Sequence, residues 1–193
     1  MNNDLETQIA QCLAGDQTGY AVLYDQFAPS VYRLCFSLLL NREDAEDIAQ
    51  ESFVYAFKNL RRYDPKLSAF KTWLFTIAIC RCRNVYRRQR PMLIDIAGFI
   101  QNTLHAPRIE TPEARYTQRS VQDAVQQALA TLSPRLREAV VLRYGHGLTY
   151  REMADVIGCP AKTAESRVRL AHDALRDRLQ PHGHGLLEEL VNI

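Results

Sequence analysis

The apolar positions of this chain recur at helical spacing from its first residues. Leu5, Ile9 and Leu13 share one face of a short helix over Met1–Leu13, and Gly15-Asp16 breaks it. Thr18 to Leu40 continues helically, with Tyr20, Leu23, Tyr24, Phe27, Val31, Leu34, Phe36 and Leu38 as core positions. Pro29 within it either starts a new segment or bends the helix. Asn41 is placed to cap a third helix, Arg42 to Leu60, which turns Ala45, Ile48, Ala49, Ser52, Phe53 and Ala56 inward. Glu43, Glu46, Asp47, Gln50 and Glu51 occupy its other side. Asp64-Pro65 then signals a turn, and Ser68 is positioned to cap the next helix.

That helix, Ala69 to Arg90, contains no Pro or Gly and carries three faces. Phe70, Trp73, Leu74 and Ile77 form one apolar stripe, and Phe75, Ile79, Cys82 and Tyr86 form a second, roughly opposite. Both stripes are expected to pack within the first domain. Between them runs a polar strip of Thr72, Thr76, Arg83, Arg87 and Arg90. The strip is either the solvated basic end of a core helix or a surface offered to nucleic acid, with Arg81, Arg83, Arg87, Arg88 and Arg90 reaching phosphates. Trp73 is a tempting wedge for unstacked bases, yet its neighbours on the wheel, Phe70, Leu74 and Ile77, assign it to the core.

After Arg90 the period is lost. Pro91 to Pro112 reads as a linker, with Met92 to Ile100 too apolar to be fully solvated. Thr111-Pro112 starts a helix over Glu113–Ala130, and Ser133-Pro134 starts another over Arg135–Tyr144, stopped by Gly145-His146-Gly147. Thr149-Tyr150-Arg151-Glu152 is a capping box that opens a short helix, Tyr150 to Ile157. Gly158 permits a tight turn, and Pro160 introduces a last helix to Gln180 with Ala164, Val168, Ala171, Leu175 and Leu179 as its inward stripe. The expected fold is all-α: two small helical domains over residues 1–90 and 113–180, a linker over 91–112, and a tail over 181–193. Leu186, Leu187, Leu190 and Val191 give the tail an amphipathic turn expected to dock in cis.

Composition adds little until it is divided by position. An apolar share of 47% and a charged share of 24% are ordinary for globular domains. Residues 1–60, however, carry 3 Lys/Arg against 9 Asp/Glu, a net of −6, and residues 61–90 carry 9 against 1, a net of +8. An acidic block beside a basic one suggests two partners, a basic protein surface and a polyanion. Five cysteines at irregular spacing make no disulfide framework, and Cys80 and Cys82 point apart on a helix. No leader-like segment opens the chain, and its most apolar run, Val31 to Leu40, contains Arg33 and is too short for a bilayer. The expectation is a cytoplasmic protein that does not enter membranes. The five histidines are scattered, and no phosphate loop or nucleophile motif is present, so no catalysis, cofactor, metal site or small-molecule substrate is expected.

A short capped helix, a Gly turn and a longer helix with small inward residues make a helix-turn-helix. Ala154, Gly158 and Ala164 sit where the helices cross. Lys162, Glu165, Ser166 and Arg169 are placed to reach base edges, and Thr163 and Arg167 flank them at phosphate positions.

The segments AEDIAQESFVYAF (45–57), AFKTWLFTIAICRCRNVYRR (69–88), LSPRLREAVVLRYGHGLTYREMADVIGCP (132–160) and SRVRLAHDAL (166–175) together resemble the group 4, extracytoplasmic-function sigma factors of the bacterial sigma-70 family. The resemblance spans roughly residues 18–180. It implies that the first domain is sigma region 2, binding the β′ clamp of core RNA polymerase through Asp47, Gln50 and Glu51, with Phe53 beneath. It implies that Tyr63 to Arg90 reads and melts the −10 element of promoter DNA. The candidates there are Tyr63, Lys66, Lys71, Thr72, Trp73, Thr76, Cys80, Arg83, Arg87, Arg88 and Arg90. The −35 element would fall to region 4 through Lys162, Thr163, Glu165, Ser166, Arg167 and Arg169. Further implied partners are the polymerase β flap and an anti-sigma factor. The chain departs from the family pattern at Cys80, where an Asn is usual, at Asn84, usually acidic, and at Glu165, usually a cation. Typical base preferences therefore do not transfer, and Cys80 either alters the −10 preference or turns inward.

Overall fold

A computed structural model describes residues 2–94 and 123–179. Among them all regular structure is helical: α1 (Asn2–Leu13), α2 (Gln17–Leu39), α3 (Arg42–Lys58), α4 (Phe70–Ile94), α5 (123–131), α6 (Pro134–Val140), α7 (Tyr150–Ile157) and α8 (Ala161–Leu179). Most of the expected linker, the start of the helix expected from Glu113, and the tail 181–193 lie outside the described residues.

The first four helices form one bundle. Asp16 caps α2 by accepting from the Thr18 N–H at 2.9 Å, and Asn41 caps α3 by accepting from the Asp44 N–H at 3.0 Å. Helix α2 runs unbroken through the exposed Pro29 and closes on Leu40, whose φ of 56° lets its N–H reach the Phe36 carbonyl at 2.8 Å. Its buried residues, Leu23, Phe27, Val31, Leu34 and Leu38, face α3 and α4. An aromatic chain binds the layers: Phe27 lies 5.1 Å from Phe70, and Tyr63 lies 5.3 Å from Phe70 and 5.4 Å from Trp73. Ser68 does not cap α4. The helix takes its first turn from the Ala69 carbonyl, which accepts from the Trp73 N–H, while the Ser68 carbonyl accepts from the Tyr63 hydroxyl. Helix α4 also continues past Arg90 through Pro91 to Ile94.

The second unit packs α6 and α7 against α8 around Leu142, Met153, Ala164, Ala171 and Leu175, all fully buried. The helix expected to reach Tyr144 stays α-helical only to Val140. A wider π-turn follows over Val141–Gly145, with the Leu148 N–H returning to the Leu142 carbonyl at 3.1 Å. The capping box forms as read: the Thr149 hydroxyl accepts from the Glu152 N–H, and the Glu152 carboxylate accepts from the Thr149 N–H at 2.8 Å. Gly158 takes a φ of 73°, the left-handed turn between α7 and α8.

The two units meet along α4. Its first stripe faces the bundle as expected; of the second, Cys82 and Tyr86 stay within the first domain, beside Cys35 and bonded to the Leu38 carbonyl, while Phe75 reaches the second unit. Phe75 holds the His146 ring edge-on at 4.8 Å, and α4 packs along α7. Helix α4 thus packs on α2 and α3 of the first unit and on α7 of the second.

Candidate nucleic-acid and partner interfaces

On α3 the inward positions bury Ile48, Ala49, Ser52 and Phe53, which leaves Asp47, Gln50 and Glu51 exposed side by side above Phe53. The groove they border also takes in Val54, Tyr55, Lys58 and Arg81. Arg81 reaches over from α4. Its Nη1 lies 2.7 Å from Glu51 Oε2, and its guanidinium sits 5.1 Å over the Tyr55 ring. The arginine expected at DNA phosphates therefore joins the acidic face instead. Val54, 53% exposed, and Tyr55, 42% exposed, were not among the candidates. Their spacing from Asp47, Gln50 and Glu51 on one helix was the available signal; the Glu51–Arg81 pair spans 30 residues and leaves no local trace.

The basic helix divides into open and covered parts. Lys66, Cys80, Arg87 and Arg88 are exposed, and the Lys66 N–H is held by Asp64 Oδ1 at 2.9 Å in the preceding loop. The exposure of Cys80 removes the inward-turned reading. Arg87 is steadied by Asn84 Oδ1 at 3.1 Å. Tyr63 and Trp73 are half-buried against Phe70, and burial pushes the Tyr63 phenol above its ordinary range. Thr72 is buried, and the Thr76 hydroxyl donates back to the Thr72 carbonyl, so neither hydroxyl stands free on the strip. Arg83 forms a fork-to-fork pair with Glu138 of α6, at 2.9 Å from Nε to Oε1 and 2.6 Å from Nη2 to Oε2. Lys71 is half-buried and donates to the His146 carbonyl at 3.4 Å; burial lowers its pKa. Arg90 lies on α4, with its side chain outside those described.

Helix α8 projects Lys162, Glu165 and Arg169 into solvent, with Thr163, Ser166 and Arg167 half-buried. A groove lined by Lys162, Glu165, Ser166 and Arg169 extends over Tyr144, Tyr150, His172 and Arg176. Tyr150 is pinned by the Arg143 guanidinium 5.0 Å above its ring, while Arg143 donates to the Leu148 carbonyl at 2.9 Å. Tyr144 and Tyr150 were not candidates; Tyr144 lies in the π-turn and Tyr150 opens α7, and both come to lie beside α8 only in the folded unit. Arg167 leans back over the turn, with Nη1 at 3.8 Å from Cys159 Sγ. Among the described residues no cluster of three or more His, Cys, Asp or Glu is arranged to hold a metal, and no helix is long and apolar enough to cross a membrane.

Comparison with known proteins gives each unit a counterpart. Residues 23–91 match the Sigma-70 region 2 model, and residues 122–175 match the Sigma-70 region 4 model. The chain is similar to the ECF RNA polymerase sigma factor SigW of Bacillus subtilis, at 29% identity over 182 residues, covering 91% of this chain and 97% of that protein. It is 32% identical over 173 residues to the RNA polymerase sigma-H factor of Pseudomonas aeruginosa, covering 86% and 89%. Two solved structures share the architecture at a TM-score of 0.66 and 25% identity. One is CnrH in complex with the cytosolic domain of CnrY, covering 92% of this chain and 97% of that one. The other is the sigma factor RpoE in complex with the anti-sigma factor NepR from Bartonella quintana, covering 83% and 96%.

Proposed function

The chain belongs to the sigma-70 family as an ECF sigma factor, and from that premise we propose how its surfaces divide the work of promoter-specific transcription initiation. The observation that carries the reading is the order of two family-matched units, the first with an acidic aromatic face on α3 and the second with a capped helix-turn-helix ending in α8.

The α3 face docks on core RNA polymerase. Asp47, Gln50 and Glu51 supply its charge and polarity, while Val54 and Tyr55 supply exposed apolar area beside them. Arg81 stiffens the face by fixing Glu51 and Tyr55. The loop from Tyr63 and helix α4 read the −10 element, with Lys66, Arg87 and Arg88 as the open phosphate contacts and Cys80 exposed at a base-facing position. Helix α8 reads the −35 element in the major groove. There Glu165 favours a cytosine amine where a cation would favour guanine, so the preferred −35 sequence differs from that of relatives with Lys. The role is non-catalytic: the protein supplies specificity and strand opening, and the polymerase supplies the chemistry. It acts in the cytoplasm, and an anti-sigma factor holds it in reserve, as the complexes of its structural neighbours suggest.

The test is transcription from a cognate promoter by core polymerase with and without the chain, alongside Asp47→Lys/Glu51→Lys. The double variant is expected to lose core binding while keeping its helical signal. Full core binding by a folded double variant would overturn the assignment of the α3 face.

A further inference from the structure

We propose that the cavity between α2, α4 and the π-turn is a binding site for a small anion carrying two or more phosphate groups. Its cations come from both units, and of the promoter candidates only Lys71 lines it.

The cavity holds about 560 Å³, within the range of small-ligand sites. Arg33 enters it from α2, Lys71 from α4 and Arg143 from the π-turn, where the chain then runs past as Gly145-His146-Gly147. No Asp or Glu is among the lining residues. The ion pairs among the described residues, Arg42–Glu46, Arg81–Glu51 and Arg83–Glu138, use none of these three cations. Glu152 acts on Lys71 from α7, but its carboxylate is engaged by the Thr149 N–H at 2.8 Å and the Thr149 hydroxyl at 2.7 Å. The Ser30 hydroxyl at the rim donates to the Phe27 carbonyl at 2.9 Å, so the cations are left to meet a ligand.

Two groups register the uncompensated charge. Burial lowers the Lys71 pKa, and Arg33 lowers it further. Burial keeps the His146 imidazole neutral, and Lys71 and Arg33 add to that effect. An anion among these groups removes their mutual repulsion and gains from each cation. Two of the cations are already in place. The Arg143 guanidinium lies 5.0 Å over the Tyr150 ring, and Lys71 Nζ is 3.4 Å from the His146 carbonyl. Binding therefore has only Arg33 left to order. Arginine forks match phosphate oxygens in pairs, and lysine adds a point charge. Three cations exceed the charge of one carboxylate, which selects a polyphosphate. The exposed cations assigned to the −10 strand, Lys66, Arg87 and Arg88, lie outside the cavity, which favours a free anion over a DNA phosphate.

Calorimetric titration of the full chain with inorganic pyrophosphate, in magnesium-free buffer, reads the site. The wild type should bind one equivalent. Arg33→Gln, at an exposed position, should weaken binding about tenfold or more, the size of one lost charge-assisted contact. Lys71→Met should do the same. Arg61→Gln/Arg62→Gln removes two exposed cations outside the cavity and should leave pyrophosphate binding unchanged. A labelled −10 oligonucleotide should bind Arg33→Gln as tightly as wild type. Absence of pyrophosphate binding by the folded wild type overturns the proposal, whatever the variants do. An equal loss in Arg61→Gln/Arg62→Gln also overturns it, as diffuse attraction to a basic surface. So does displacement of pyrophosphate by the oligonucleotide with equal loss of both ligands in Arg33→Gln, because the cavity would then belong to DNA.

Discussion

Replacing Arg137 with Met should cost the protein about 3–4 kcal/mol of folding stability. Arg137 is 8% exposed and spends its guanidinium on backbone carbonyls. Nε donates to Leu129 O at 2.8 Å and Nη1 to Leu38 O at 2.7 Å, with longer bonds from Nη2 to Ala130 O at 3.2 Å and Leu132 O at 3.3 Å. Met keeps the stem's packing and removes every donor. A hydrogen bond from a charged donor contributes about 1.5–3 kcal/mol net, and the low end for each of the two short bonds gives about 3 kcal/mol. The two longer bonds add at most a further fraction. For a chain of this length each kcal/mol lowers the melting temperature by about 2–4 °C, so the expected drop is about 6–16 °C. Arg137→Lys keeps the charge but reaches with one point instead of a fork, and should lose roughly half as much. Urea unfolding followed by circular dichroism measures both. A loss below about 1 kcal/mol for Met would refute the reasoning, because the buried Leu129 and Leu132 carbonyls would then be satisfied without the guanidinium, while Leu38 O keeps the Tyr86 hydroxyl.

Burial beside Lys71 and Arg33 holds the His146 imidazole down at about 3. The unfolded residue takes up a proton near 6.5, so the stability from neutral His146 is complete above that pH and falls from there toward 3, by up to about 1.4 kcal/mol per pH unit. His146→Gln should therefore be less stable than wild type at pH 7.5, with a gap that narrows by pH 5; Arg33, Lys71 and Arg143 surround both forms, so a gap constant over that range would exclude the imidazole as the source. Gly158→Ala finds open space for its Cβ but must hold a φ of 73°, which should cost about 1–2 kcal/mol, with Gly158→Asn costing less; equal melting temperatures for all three would contradict this. Gly19→Ala would place a Cβ 2.9 Å from Cys12 Sγ and 3.0 Å from the Gln8 carbonyl, and should destabilise the α1–α2 contact by about 1–3 kcal/mol. Adding Cys12→Ala should restore only part of that loss in the same melt, since the backbone clash stays.

Local grammar made much of this fold legible. Asn41, the Thr149–Glu152 box and Gly158 act through backbone groups within four residues, so their spacing alone placed three helix boundaries. Ser68 misled because its backbone was claimed by Tyr63, a contact across a loop. The π-turn at Val141–Gly145 has no apolar period of its own to announce it. The candidate surfaces were legible as faces but not as partners. A wheel separates Glu51 from Ile48, yet it cannot say that Arg81 will cross from another helix to meet it. The same limit explains α4. Its second stripe was visible in the sequence, but not that Phe75 would meet His146 while Cys82 and Tyr86 stayed with α2. Nothing in the local sequence marks the adjacent Arg137 and Glu138 as buried.

The seam between the units also has a thermal sign. Its apolar part, Phe75 against His146, weakens on cooling, as burial of apolar surface does near room temperature. Its ionic part shifts the same way, because hydration of charged groups becomes less favourable with heat, so that separating Arg83 from Glu138 is hardest when warm. Two interactions of different origin thus give the seam one temperature coefficient. Below the onset of unfolding, warming therefore strengthens the contact between the units and cooling weakens it.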